Sequence, residues 1–139
     1  MLFNMEKYKK GKVAKYMGHY TTKKYSFRFS NITEQQARDL KKIWKGAKVS
    51  RPADRIKSRR KNGIVGLVPI RKGKNYGWIS LFLKRNKLTK SKCDICVSIL
   101  TEYDMRTFTL PDYVRKVVHA TKADITFSFI SITWTPSKR

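Results

Sequence analysis

The stretch Tyr25-Ser26-Phe27-Arg28-Phe29-Ser30 alternates rings with polar side chains and runs almost directly into a helix start. Period-two alternation puts Tyr25, Phe27 and Phe29 on one face of a strand and Ser26, Arg28 and Ser30 on the other. Thr33 is a good N-cap, Gln36 completes a capping box, and Ile32 is placed as a hydrophobic staple. Ala37, Leu40, Ile43 or Trp44, and Ala47 then recur at helical spacing. Lys41, Lys42 and Lys45 sit where the helix dipole favours cations, and Gly46 ends the helix. A half-buried strand feeding an amphipathic helix calls for a layered α+β domain.

The rest of the chain extends that plan. Ile64 to Ile70 reads as a strand, interrupted by Gly66 and Pro69 in the manner of a bulge or an edge. Arg71-Lys72-Gly73-Lys74 reads as a short turn, and Lys74 to Leu83 as its hairpin partner. In that strand Tyr76, Trp78, Ser80 and Phe82 share one face, and Gly77, Ile79, Leu81 and Leu83 the other. A further strand is expected from Asp94 to Leu100. A helix is signalled by Thr109, Pro111 and Asp112, with Val114, Val117 and Val118 as its apolar stripe. A last strand is expected from Ile125 to Trp134. No internal repeat appears. The expected order is β-α-β-β-β-α-β: a ferredoxin-like, mostly antiparallel sheet with two helices on one face, in a single domain over residues 25–139.

Residues 1–24 carry seven lysines interleaved with Tyr8, Tyr16 and Tyr20 against the single acid Glu6, and read as a basic arm. Two readings of that arm compete: a segment that wraps a phosphate backbone, and a solvated tail with one short strand. The whole chain carries 33 Lys and Arg against 9 Asp and Glu in 139 residues, a formal charge of +24. Such a domain repels itself when compact, so a compensating polyanion is expected, gripped through its phosphates with strong salt dependence. No run approaches a transmembrane length, and no secretory signal is visible, so the expected setting is cytoplasmic without membrane contact.

The cations gather in three connections: Lys48, Arg51, Arg55, Lys57, Arg59, Arg60 and Lys61 over 48–62; Arg71, Lys72 and Lys74 at the hairpin tip; and Lys84, Arg85, Lys87, Lys90 and Lys92 after the aromatic strand. Long basic connections in a compact domain are expected to contact phosphate. Cys93 and Cys96 form one C-x-x-C, but zinc needs about four ligands and His19 and His119 lie far away in sequence. Two reduced thiols are expected, with no metal and no cofactor.

Two pieces of the chain resemble the RNA recognition motif domain. Lys74 to Leu81 resembles its third-strand octamer at the basic position, the glycine between the aromatics, both central aromatics and the aliphatic residue, but departs at Asn75 and Leu81. Phe27-Arg28-Phe29-Ser30-Asn31-Ile32 resembles its first-strand hexamer, with Arg28 in place of the stacking ring. The resemblance spans residues 25–83 and implies that Tyr76 and Trp78 stack bases while Lys74 and Arg28 contact phosphates or base edges.

The expected function is therefore non-catalytic binding of single-stranded RNA or DNA, by aromatic stacking on a sheet face and phosphate contacts from the basic connections. A competing reading is a small, toxin-like basic endoribonuclease drawing on His19, His119, Tyr103 and Arg106. Another is a phage-type inhibitor that docks on a nucleoprotein machine, which exposed apolar area away from the basic face would favour.

Overall fold

The computed structural model describes residues 21–101 and 108–131; the backbone of Arg59, Arg60 and Ser131 is included without their side chains. Most of the basic arm, His19, Tyr103, Arg106 and Trp134 lie outside the described residues. The elements are β1 (Thr21–Ile32), α1 (Glu34–Ile43), β2 (Lys48–Ser50), β3 (Ile64–Pro69), α2 (Trp78–Arg85), β4 (Cys93–Thr101), α3 (Asp112–Thr121) and β5 (Asp124–Ser131). They build an α+β fold on one open five-stranded sheet of order β2-β3-β1-β4-β5. The β1–β3, β1–β4 and β2–β3 pairs are antiparallel and β4–β5 is parallel, so the sheet is mixed.

Strand β1 is the organiser. It is longer than its alternation implies, because Thr21 to Lys24, expected in the arm, pair with Thr101 to Ser98 of β4. Tyr25, Phe27 and Phe29 are buried, whereas Ser26, Arg28 and Ser30 are partly exposed. Near its end the register with β3 shifts between Phe29 and Ile32, and Asn31 takes a left-handed φ of 54°. Asn tolerates that region, so the chain turns at once into α1. The capping box forms as expected: the Thr33 hydroxyl accepts from Gln36 N (3.1 Å) and the Gln36 side chain accepts from Thr33 N (2.9 Å).

Three helices, rather than two, pack on the face that carries Phe27 and Phe29. Leu40 of α1, Ile79 and Phe82 of α2, and Val114 and Val117 of α3 share one buried cluster with Ile95, Val97 and Ile99 of β4. Phe29 meets Phe82 edge-on, with ring centroids 5.2 Å apart. Gly66 of β3 lies beneath Leu40, whose Cδ2 would stand 2.6 Å from an added Cβ. The glycine that interrupts the strand pattern therefore admits α1 to the sheet.

The largest departure concerns Lys74 to Leu83, which is not a strand. Residues 71–77 form a loop, and Trp78 to Arg85 form α2. Ile79, Phe82 and Leu83 are buried at helical spacing, and Leu81 is exposed. A short apolar run satisfies both periods. Here the chain crosses from β3 to β4, parallel strands on either side of β1, and such a crossover takes a dozen or more residues and is usually helical. The chain order becomes β-α-β-β-α-β-α-β, which replaces the expected β-α-β-β-β-α-β. The basic connection 48–62 is also more ordered than a loop. It opens with β2 and continues through 3-10 turns at Pro52–Asp54 and Lys57–Asn62.

Candidate nucleic-acid interface

The loop 71–77 gathers a cleft at the end of the sheet where β1 begins. Ile70 N donates to Tyr25 O (2.8 Å), which fixes where β3 stops. The Tyr76 hydroxyl then bridges the turn, donating to Pro69 O (3.0 Å) and accepting from Arg71 N (2.7 Å). Gly73 takes φ 83°, a conformation that favours glycine. Asn75 Oδ1 accepts from Gly77 N (2.8 Å) immediately before α2.

The end of α1 supplies the facing wall. Trp44 N donates to Leu40 O (2.9 Å) as the helix stops, and Ala47 N donates back to Trp44 O (3.1 Å), so Lys45 and Gly46 form a tight corner before β2. Trp44 lies 5.1 Å from Tyr76 and 5.6 Å from Trp78, nearly parallel to the latter. Between the two walls is a cleft of about 380 Å³ whose lining includes Lys45, Lys48, Arg71 and Lys74 with Trp44 and Tyr76, and no carboxylate. All four cations are exposed. A strand passing there would meet positive charge from both walls and the Trp44 ring in one of them, a combination suited to unpaired bases.

The remaining site expectations divide. Tyr76 and Trp78 do not share a sheet face: Tyr76 is a 7% exposed loop residue with its hydroxyl engaged, and Trp78 packs behind Trp44 within the helical layer. On the open side of the sheet, Lys24, Ser26, Arg28, Ser30, Asp94 and Cys96 occupy alternating positions of β1 and β4, and no described strand places an aromatic there. Stacking on that face, as the resemblance implies, therefore has no ring to use among the described residues.

Arg28 is committed elsewhere. Its guanidinium donates to both Asp94 oxygens at 2.8 and 2.5 Å, and Thr126 Oγ1 adds a third bond to Asp94 at 2.6 Å. Burial alone would raise the Asp94 carboxyl, but the bonds from Arg28, Thr126 and Cys96 outweigh it and hold the group below its ordinary value. This cluster joins β1, β4 and β5 and is structural. Arg51 pairs with Glu34 at 2.9 and 2.5 Å, and Arg55 donates to Ser50 and to the Gly63 carbonyl, so both tie the 48–62 connection to the fold.

Lys57, Arg59, Arg60 and Lys61 fall in the second 3-10 turn, and Lys72 is exposed on the loop. Lys84 and Arg85 close α2 at the opposite end of the helix from Tyr76. Trp44 and Lys45 lie outside the expected set. Their signal was present, as an indole and a lysine side by side just before a glycine, but helical spacing accounts for both.

Cys93 and Cys96 point to opposite faces of β4, Cys93 buried in the core and Cys96 beside Asp94. Burial and the Asp94 carboxylate push the Cys96 thiol up to about 11. His119 is exposed on α3, and among the described residues no group of His, Cys, Asp and Glu could hold a metal ion. No described helix is long and apolar enough to cross a membrane. Comparison of the chain with protein-family models, with curated proteins and with solved structures finds no match.

Proposed function

We propose that this protein binds nucleic acid without cleaving it, and that it holds an unpaired stretch of RNA or DNA in the cleft between Trp44 and the 71–77 loop. The observation that carries this reading is the lining itself: four cations and two rings with no carboxylate, in a chain of net charge +24. Phosphates supply the affinity by releasing counterions, and the indole of Trp44 offers a base a face on which to stack. The β1-α1-β2-β3-α2-β4 portion supports a split βαβ, ferredoxin-like reading extended by α3 and β5. In that plan the cleft lies at an end of the helical layer rather than on the open sheet face.

Fluorescence anisotropy with single-stranded RNA and DNA across a salt series tests the proposal. Lys45→Ala/Lys74→Ala is expected to lower the slope of log K against log salt by roughly 1.4, at about 0.7 per lost contact. Trp44→Leu, checked for an intact melting transition, is expected to cost roughly 1–3 kcal/mol of single-strand binding. Wild-type binding by both variants would remove the cleft from consideration. Running the same RNA on a denaturing gel separates binding from cleavage.

One observation favours the second reading, in which the chain docks on a protein of a nucleoprotein machine. Strand β5 exposes Phe127, Phe129 and Ile130 by 55, 47 and 54%, and it contains no lysine or arginine. Exposed apolar side chains on a strand without cations form a contact surface distinct from the basic cleft. In that case Phe127→Ser/Phe129→Ser would abolish partner capture while leaving binding to free oligonucleotides intact.

A further inference from the structure

The two ends of α2 differ in chemistry. At its N-terminal end stands the cleft described above, with Trp44 and Tyr76 among its cations. At its C-terminal end a larger cleft, of about 550 Å³, opens between α2, the connection to β4 and the end of α3. Lys84, Lys87 and Lys90 line it, together with Leu88 and Thr89, and its lining contains neither a carboxylate nor an aromatic ring. All three lysines are exposed. The cleft lies at the far end of the sheet, where Cys93 begins β4 opposite Phe29. Exposed Lys57 and Lys61 belong to the 3-10 turn that leads into β3, whose first residue Ile64 pairs with Ile32 at that same end.

A cleft with rings suits nucleic acid whose bases are free to stack, because a π-face is useless against bases already stacked in a helix. A cleft with cations alone suits a duplex, whose stacked bases offer no ring face along the helix and whose phosphate ridges carry the sequence-independent affinity. We infer that the protein recognises the junction between paired and unpaired nucleic acid, with the duplex backbone on Lys84, Lys87 and Lys90 and the emerging strand in the Trp44 cleft. This inference rests on the proposed function for the strand end and adds the duplex end. Helix α2 separates Tyr76, just before its first residue, from the lysines at and beyond its last turn: its eight residues span about 12 Å at 1.5 Å each. At about 3.4 Å per stacked nucleotide, that corresponds to roughly four nucleotides between the last base pair and the stacked base.

Occupying both clefts at once makes the second contact intramolecular, so a junction is expected to bind at least about tenfold more tightly than either of its parts. The test is anisotropy at fixed salt with a blunt hairpin whose strands are joined by a non-nucleotide linker, so that it holds no unpaired base, with a single strand, and with that hairpin carrying overhangs of two or eight nucleotides. The eight-nucleotide overhang is expected to show the gain and the two-nucleotide overhang to lack it.

Two variants locate the sites. Lys84→Ala/Lys87→Asn/Lys90→Ala, with Asn chosen because Lys87 has a φ of 53°, is expected to lose hairpin binding and the junction gain while keeping single-strand affinity. Lys45→Ala/Lys74→Ala is expected to weaken single-strand binding and to lose the gain while keeping the hairpin. An overhang that adds nothing, or variants that weaken every ligand equally, overturns the junction inference while leaving single-strand binding standing. Loss of specific single-strand binding in the wild type overturns the parent reading instead.

Discussion

Asp94 shows how a single residue redirects the reading of its neighbours. Arg28 on the polar side of an alternating strand reads as a phosphate contact until Asp94, 66 residues later, is placed opposite it in the β1–β4 register. The carboxylate accepts from Arg28, Thr126 and Cys96, and Asp94→Ala is expected to cost roughly 1.5–3 kcal/mol in chemical denaturation, the range for hydrogen bonds to charged groups. Its pH dependence follows from a folded-state value depressed below the ordinary 3.8. The contribution is complete above the unfolded value and is lost as pH falls through the lower folded one. Stability should therefore hold from pH 7 to roughly 5 and fall below about 4, with a smaller acid-induced loss in Asp94→Asn.

Tyr76 is a second such residue. Its ring lines the cleft, but its hydroxyl joins Pro69 O to Arg71 N, so Tyr76→Phe is expected to destabilise the loop by about 1 kcal/mol and to speed amide exchange at Arg71. Neither partner is visible from the residue's own place in the chain. The C-x-x-C is more nearly legible. In a strand, positions i and i+3 face opposite ways, so Cys93 and Cys96 are expected to titrate as two free thiols after air exposure.

At the scale of elements, local signals located most of the structure. The alternation of β1, the capping box of α1, the Pro-Asp start of α3 and the apolar run of β4 all describe segments whose environment repeats with a single period. Thr33→Ala is expected to cost roughly 0.5–2 kcal/mol in thermal unfolding, because it removes the acceptor for Gln36 N. Phe27→Ala, in the centre of β1, is expected to cost roughly 3–5 kcal/mol and to unfold the domain near physiological temperature.

Helix α2 was the element its own residues could not identify. Tyr76, Trp78 and Phe82 fit an alternating face, and Ile79, Phe82 and Leu83 fit a helical one. The choice belongs to the connection: β3 and β4 both run antiparallel to β1, one on each side of it, so the chain must cross over the sheet between them. The same choice moves the rings from the open sheet face into the helical layer and leaves Trp44, not Trp78, in the lining of the cleft.

For the whole molecule, charge is the property that sequence alone determines, and with it the expectation of a polyanionic partner and salt-dependent binding. Residue types and local periods also determined the α+β class, the strand that feeds α1 and the positions of two helices, since each depends on neighbours within a few residues. Only the tertiary structure decided which cations remain free. Arg28, Arg51 and Arg55 meet internal acceptors, whereas Lys45, Lys48, Arg71 and Lys74 converge on one cleft from segments separated by more than twenty residues. It also decided that Trp44 belongs to that cleft and that a cluster of three lysines lies at and just beyond the other end of α2. Convergence of this kind depends on strand register and helix placement, which set distances between residues remote in sequence and leave no trace in the pattern of any one segment.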